Sequence, residues 1–335
     1  VFERNTLILL KIIPMARILT GIQSTGVPHL GNILGAILPT IELSKEKNNE
    51  MFCFIADMHS LTSIKDGPVI RENTYSVAAT WLAFGVDINK SVFYRQSNIT
   101  EVTELAWYLS CFMPYSRLQL AHSFKDKSEK SNDVNSGLFS YPILMAADIL
   151  LYDAEVVPVG KDQMQHLEFT RDLVDRINHQ YGHVLKKPEI SLNNKTMYVP
   201  GVNGQKMSKS YGNTINIFES DKKLRKSIMG IKTDNLGLND TKDPENCTIF
   251  KLYSLLASKE KIKELDTCYR KGNYGYGHAK EALFELICEK YGEERELYNE
   301  LMSNKDQINE KLEIGSKKAK KVAQNTIERI RNVMG

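Results

Sequence analysis

The stretch "GVPHLGNILGAI" (26–37) decides how the first part of this chain folds. Apolar residues recur through it at helical spacing, and Pro28 stands at or just before the first helical position. His29, Gly31 and Asn32 nevertheless occupy the first turn. Small residues there suit close packing of the helix. They suit a phosphate equally well, since the free N–H groups and partial positive charge of a helix N-terminus attract an anion.

Short β-branched and aromatic runs alternate with helical patterns on both sides of that stretch. Strands are predicted at 17–22, 51–60, 91–97 and 155–160, and helices at 29–46, 68–84, 101–112, 138–152 and 162–181. Because buried strands that alternate with helices are typical of parallel sheets, the predicted fold class is α/β, with a doubly wound, Rossmann-like sheet. Polar residues follow each predicted strand, at 23–25, 57–59, 96–98 and 160–163. They are expected to line one site, since ligands of such sheets bind beyond the carboxyl ends of the strands.

Strand patterns stop after about residue 200, where the chain becomes helical. Helices are predicted at 221–231, 247–257, 259–270, 278–303 and 305–334. We therefore expect an α/β domain at 15–200, which carries the site at the strand ends, and a smaller helical domain at 201–335, with the last helix packing back on the first domain. Val1 is not an initiator and Met15 precedes the first strand. Residues 1–14 are accordingly expected to lie outside the fold.

Composition is that of an ordinary globular protein, with a net charge of +3 and 25% charged residues. The five cysteines are scattered, without a CxxC pair or a histidine cluster at metal-ligand spacing. We therefore predict no protein-bound metal and a reducing, cytoplasmic location. The first apolar run is interrupted by Lys11 and is too short to span a bilayer, so neither a membrane segment nor a signal peptide is predicted.

A second motif, "GQKMSKSYGN" (204–213), bears on the function of the first. Its two lysines flank small hydroxyl residues in a glycine-containing loop, which could close over phosphate oxygens. A basic loop alone is more often plain surface. The pentapeptide KMSKS, however, is expected by chance in about one chain in ten thousand of this length. Together with "HLGN" on the first helix, it resembles the paired signatures of class I aminoacyl-tRNA synthetases.

Within that class the chain resembles the bacterial-type tryptophanyl-tRNA synthetases over nearly all of residues 17–335. The most telling segments are "GIQSTGVPHLGN", "FIADMHSLT", "QSNITEVTELAWYLSC", "HSFKDKS" and "YPILMAADILLYDAEVVPVG". The last of these is not shared by the tyrosyl enzymes. The resemblance implies L-tryptophan, ATP with Mg²⁺ and the tRNA for tryptophan as substrates. It also implies a homodimer formed through residues 95–140, and makes 201–335 the anticodon-binding domain.

The resemblance also assigns site residues by position. The residues nearest the reacting phosphates would be His29, Asn32, Lys206 and Lys209. The others around ATP would be Gln23, Ser24, Thr25, Gly31, Gly160, Lys161, Asp162, Met197, Met207, Ser208 and Ser210. The tryptophan pocket would be formed by Asp148, Tyr141, Met145, Gln163, His59, Gly21, Val157 and Val159. Two positions depart from the wider pattern: Asn32 replaces a second histidine, and Leu19 stands where many relatives carry an aromatic side chain.

The implied activity is that of a ligase acting in protein biosynthesis. The tryptophan carboxylate attacks the α-phosphate of ATP, and tryptophan then passes to the terminal adenosine of the tRNA. Asp148 would accept a hydrogen bond from the indole N–H, although on spacing alone a structural carboxylate is the commoner interpretation.

Three alternative functions stay open: a tyrosyl-tRNA synthetase, a small nucleotidyltransferase and a non-catalytic RNA-binding paralogue. A basic C-terminal helix, with a net charge of +5 over 311–335, fits a polyanionic partner or a solvated face.

Overall fold

A five-stranded parallel sheet forms the centre of the molecule. The structure, a computed structural model, describes residues 16–46, 48–121, 134–160, 163–192 and 198–335, so residues 1–14 lie outside the described part. The strands are β1 (Ala16–Gln23), β2 (Asn49–Ala56), β3 (Val92–Arg95), β4 (Val156–Val159) and β5 (Glu189–Leu192). Their order is β3-β2-β1-β4-β5, and every pairing is parallel. The predicted α/β fold is confirmed. The short strand β5, "EISL", was not predicted because it lacks an apolar run.

The strand order reverses between β1 and β4, which places a crevice at the carboxyl ends of these strands. The described helices include all of those predicted, to within a few residues, and two short ones that were not predicted: Asp57–Ser60, which replaces the end of the strand predicted at 51–60, and Tyr115–Gln119. They are α1 (Leu30–Asn32), α2 (Leu38–Ser44), α3 (Asp57–Ser60), α4 (Gly67–Ala83), α5 (Glu101–Phe112), α6 (Tyr115–Gln119), α7 (Ser136–Leu150), α8 (Met164–Tyr181), α9 (Asp221–Met229), α10 (Thr248–Leu256), α11 (Lys259–Lys271), α12 (Tyr276–Ser303) and α13 (Lys305–Met334).

A single helix is predicted over 29–46, but the observed helix is interrupted. A π-helical turn, Ile33–Ile37, separates α1 from α2. Pro39 explains the widening, since it has no N–H for the carbonyl four residues earlier and its ring crowds that carbonyl. Leu30, Ile33 and Ile37 remain fully buried against the sheet, so the apolar spacing was interpreted correctly.

The last helix, α13, lies directly on the edge strand β3. A Cβ at Gly315 would come within 1.7 Å of the carbonyl oxygen of Phe93, so only glycine allows this approach. Asn98 donates a hydrogen bond to the hydroxyl of Ser316 at 3.1 Å. The helix thus covers a sheet edge whose backbone hydrogen-bonding groups would otherwise be exposed.

One apolar cluster extends from the sheet to the C-terminal helices, from Ile18 in β1 through Ile249 in α10 to Leu283 in α12. The division into domains at residue 200 remains a prediction. None of the described helices is both long and apolar enough to cross a membrane.

Candidate active site

The first helix starts with a reciprocal hydrogen-bonded cap. The Nδ1 atom of His29 accepts from the N–H of Asn32 at 3.3 Å, and Oδ1 of Asn32 accepts from the N–H of His29 at 3.1 Å. His29 is buried, which leaves its ring little freedom to move. The two residues therefore shape the turn between β1 and α1, beyond the carboxyl end of the central strand.

The KMSKS segment packs against this turn although it lies 176 positions later in the chain. Met207 is buried, and its sulfur accepts a hydrogen bond from the N–H of Gly31 at 3.3 Å. The ammonium of Lys209 would lie 3.3 Å from a Cβ placed on Gly26. A side chain at Gly26 is doubly disfavoured, because its φ of +132° is one that L-residues rarely adopt. The structure thus brings the two predicted motifs together.

Asn213 organises the inside of this loop, a role that the sequence analysis missed. Its side chain is fully buried, and its Oδ1 accepts from the N–H of Ser208 at 2.8 Å. Its Nδ2 donates to Oδ1 of Asn203 at 2.7 Å and to the carbonyl of Lys206 at 3.2 Å. Asn213 therefore holds the backbone of the KMSKS residues at Lys206 and at Ser208. Its place beside Gly212, a left-handed turn residue, was the available signal.

The electrostatics of the two motifs are coupled. Burial, and secondly the positive charge of Lys209, lower the pKa of His29 to about 4. His29 is accordingly neutral at pH 7, which lets Nδ1 accept the cap hydrogen bond. Loss of hydration around the ammonium lowers the pKa of Lys209 to about 8, although the residue as a whole is exposed. Lys206 is exposed and pairs through its backbone with Pro200.

A second cluster of polar groups surrounds Asp148 on α7. The carboxylate is almost fully buried, and its Oδ2 lies 2.8 Å from Nε2 of His59, which follows β2. Gln96, which follows β3, donates its Nε2 to Oδ1 at 2.8 Å and to Oδ2 at 3.0 Å. Burial raises the pKa of Asp148, while the bonds from His59 and Gln96 oppose that rise. The structure therefore brings together the polar ends of β2 and β3, as predicted for this edge of the sheet.

Gln96 was predicted to lie at this edge, but it was given no role in the site. The sequence feature that could have revealed its role was its position directly after a buried strand. The adjacent turn is tied to β2, since Asp57 accepts from both the N–H of Ser97 at 3.0 Å and its hydroxyl at 2.5 Å. The ends of β2 and β3 are thus held in register by side chains.

Tyr141 lies on the same helix as Asp148 and faces the same cluster. Its ring contacts His59 edge-on, with centroids 6.3 Å apart, and its hydroxyl is 2.9 Å from Nε2 of His166. Val157 and Val159 are buried on β4. A Cβ at Gly21 would lie 2.5 Å from the ring of Phe54. The remaining predicted pocket residues, Met145 and Gln163, lie on α7 and at the start of α8.

The residues predicted around ATP differ in exposure and in hydrogen bonding. Gln23 is exposed at the end of β1, whereas Ser24 is fully buried with its hydroxyl 3.0 Å from that of Ser60. The Ser24 side chain therefore bonds within the protein. Gly160 follows β4, and its carbonyl accepts from the N–H of Gln163 at 3.0 Å. The other residues predicted here are Thr25 at the turn and Ser210 in the loop, whose hydroxyl lies 2.8 Å from that of Ser208. Lys161, Asp162 and Met197 lie outside the described residues.

Comparison with known proteins identifies relatives over most of the chain. Residues 14–292 match the family of class I tRNA synthetases for tryptophan and tyrosine. The tryptophan–tRNA ligase of Campylobacter jejuni is 46% identical over 319 residues, which are 95% of this chain and 99% of that protein. The tryptophan–tRNA ligase of Fusobacterium nucleatum is 46% identical over 322 residues, or 96% and 98% of the two chains.

Solved structures agree with the sequence comparison. The crystal structure of tryptophanyl-tRNA synthetase from Campylobacter jejuni, complexed with ADP and tryptophan, superposes with a TM-score of 0.91 at 46% identity. It covers 94% of this chain and 98% of its own. The enzyme from Mycoplasma pneumoniae gives a TM-score of 0.79 at 28% identity, covering 96% of this chain and 98% of its own. The similarity therefore includes both the sheet and the C-terminal helices.

Proposed function

The chain belongs to the class I tRNA synthetases for tryptophan and tyrosine, and from that premise we propose that it ligates tryptophan to its tRNA. A carboxylate oxygen of L-tryptophan attacks the α-phosphorus of ATP, and pyrophosphate leaves. A ribose hydroxyl of the terminal adenosine of the tRNA then attacks the acyl carbon, and AMP leaves. The relatives at 39–46% identity are tryptophan–tRNA ligases, which favours this reaction over the tyrosine one.

The observation that carries the proposal is the approach of Lys209 to the turn before α1. Its ammonium lies over Gly26, beside the helix N-terminus that starts at His29. A triphosphate in the crevice would thus meet backbone N–H groups on one side and a lysine on the other. Negative charge develops on the leaving pyrophosphate, and a positioned cation stabilises that charge more than it stabilises bound ATP. We assign Lys206 the same role from the opposite end of the motif.

Positioning accounts for most of the expected catalysis. In-line attack on phosphorus needs aligned reactants and neutralised charge, and it needs no protein nucleophile. Gln23, Thr25 and Gly160 surround the crevice between β1 and β4, where we place the adenosine. Mg²⁺ commonly binds through substrate phosphates, so we propose that it enters with ATP and adds charge neutralisation there.

On the amino-acid side, Asp148 is proposed to read the indole ring. Indole N–H is a donor without acceptor capacity, so selection of tryptophan requires an acceptor in the pocket. A carboxylate held by His59 and Gln96 supplies one. Leu19 is fully buried on β1, where it offers aliphatic rather than aromatic contact to a ring.

Two larger partners belong to the proposal. The tRNA would approach the C-terminal helices, where the exposed Lys317, Lys320 and Lys321 of α13 offer positive charge to phosphates. A second copy of the chain would cover α5 and α6, where Trp107 is 71% exposed and Tyr115 is 67% exposed. Exposed aromatic side chains of that size are typical of an interface. The cytoplasmic location also remains a proposal.

Pyrophosphate exchange tests the function directly. Purified protein with ATP and Mg²⁺ should exchange labelled pyrophosphate into ATP when tryptophan is added, and much less when tyrosine is added. The same preparation should charge tRNA that bears the tryptophan anticodon. Equal or faster exchange with tyrosine would contradict the proposal, and exchange without charging would indicate an RNA-binding paralogue with altered function.

A further inference from the structure

Gln96 is a buried amide whose hydrogen bonds converge on one carboxylate. Gln96 is only 1% exposed to solvent. Its Nε2 donates to both oxygens of Asp148, while its Oε1 accepts from the N–H of Met58 at 3.2 Å. The carboxylate can only accept and the backbone N–H can only donate, so chemistry leaves this amide a single orientation. Gln96 therefore links the end of β2 to Asp148 on α7.

The two oxygens of Asp148 are not equivalent. Oδ2 receives both Nε2 of His59 at 2.8 Å and Nε2 of Gln96 at 3.0 Å, and two donors match the number of its lone pairs. Oδ1 receives Gln96 alone at 2.8 Å among the residues that the structure describes. A donor that enters the cluster would therefore find its acceptor at Oδ1.

The choice of an amide also has a chemical consequence. An arginine or lysine in this position would neutralise the carboxylate. A primary amide holds both oxygens without adding charge, so it leaves the Asp148 carboxylate unpaired with a cation and available to the indole N–H. Hydrogen bonds to an ionised acceptor are about twice as strong as those between neutral groups.

We propose that Gln96 is the positioning residue that sets specificity for an N–H-bearing ring, by orienting Asp148 so that Oδ1 receives the indole. This inference rests on the proposed function of the Asp148 site. It assigns to Gln96 no contact with the reacting atoms. It predicts that loss of the amide weakens recognition of the ring nitrogen and leaves the phosphate chemistry unchanged.

The test compares tryptophan with β-(3-benzothienyl)alanine, an analogue of nearly the same shape in which sulfur replaces the ring N–H. The wild-type protein should prefer tryptophan by about 10- to 100-fold in activation efficiency, the size expected for one hydrogen bond to a charged group. Gln96→Met keeps the length of the side chain and removes both donors. We expect it to reduce that preference about tenfold, with a higher KM for tryptophan and an ATP KM within about twofold of wild type.

A matched control separates recognition from stability. Asn178 is an amide outside the site whose side chain bonds the backbone of Val184 and Leu185. Asn178→Leu should lower thermal stability and leave the preference for tryptophan unchanged. Gln96→Leu also removes the amide and adds no charge. It should lose the preference about as strongly as Gln96→Met, and it serves if the methionine variant does not fold.

The outcomes distinguish this inference from the proposed function. A folded Gln96 variant that keeps the wild-type preference would overturn the inference while leaving the function intact. If wild-type protein exchanged no pyrophosphate, the function would be wrong. The same comparison would then be made by calorimetric binding of the two amino acids, where equal affinity of the wild type for both would overturn the role of Gln96 as well.

Discussion

The charge on Lys209 should set an upper pH limit on tryptophan activation. With its pKa lowered to about 8, the ammonium is about nine-tenths protonated at pH 7 and about one-tenth protonated at pH 9. Only the protonated lysine stabilises the leaving pyrophosphate. Because kcat/KM reports groups of the free enzyme, kcat/KM for ATP in pyrophosphate exchange should fall about tenfold over this range.

Two substitutions identify the group responsible. Lys209→Arg keeps its charge throughout, so the fall above pH 8 should disappear, although the planar guanidinium should lower the rate at pH 7. Lys209→Ala should lose roughly 2–4 kcal/mol of transition-state stabilisation, or about thirty- to a thousand-fold in rate, with little change in tryptophan binding. Lys206→Arg is the control and should retain the fall.

The test is the initial rate of exchange at saturating tryptophan and at ATP well below its KM, measured from pH 6.5 to 9.5. A fall that persists in Lys209→Arg would assign it to another group. An alanine variant within about twofold of wild type, against the loss expected for a charge-assisted contact, would show that the loop is plain surface.

Three further changes test other parts of the structure. Asp148→Ala should raise the KM for tryptophan, because about 1–3 kcal/mol of binding free energy for the indole N–H is lost, and it should narrow the discrimination against phenylalanine. If activation efficiency for the two amino acids differs as much as in wild type, Asp148 has only a structural role. His29 has a pKa near 4 when folded and near 6.5 when unfolded, so the unfolded chain binds more protons between these values and stability falls as pH drops from about 6.5 to about 4. His29→Asn keeps a capping side chain without this titration, and urea unfolding across that range should show a flatter dependence. Gly315→Ala should lower the free energy of unfolding by at least about 1–3 kcal/mol, because its Cβ meets the backbone of Phe93. Gly292→Ala, in open space on α12, is the control, and its thermal unfolding should be unchanged or shifted to higher temperature.

Local patterns in the sequence were sufficient for most of the elements. Helical spacing and turn residues are properties of neighbouring positions, so the segments of α4, α5 and α8 could be placed within a few residues of their observed bounds. The motifs at His29 and Lys209 were likewise visible as short strings. Their meeting in space was expected only from resemblance, because no local rule relates two segments 176 positions apart.

Tertiary structure alone decided how the polar groups are shared. Gln96 and His59 reach Asp148 across 52 and 89 positions, and these contacts depend on strand order and on the register of α7 against the sheet. The same holds for Gly315, whose lack of a side chain has meaning only once α13 lies on the edge strand. Sequence by itself determined which residue types were available and which elements would form. The packing of those elements determined which buried donors faced which acceptors, because a hydrogen bond tolerates only a few tenths of an ångström in its donor–acceptor distance, and only the assembled fold defines that distance.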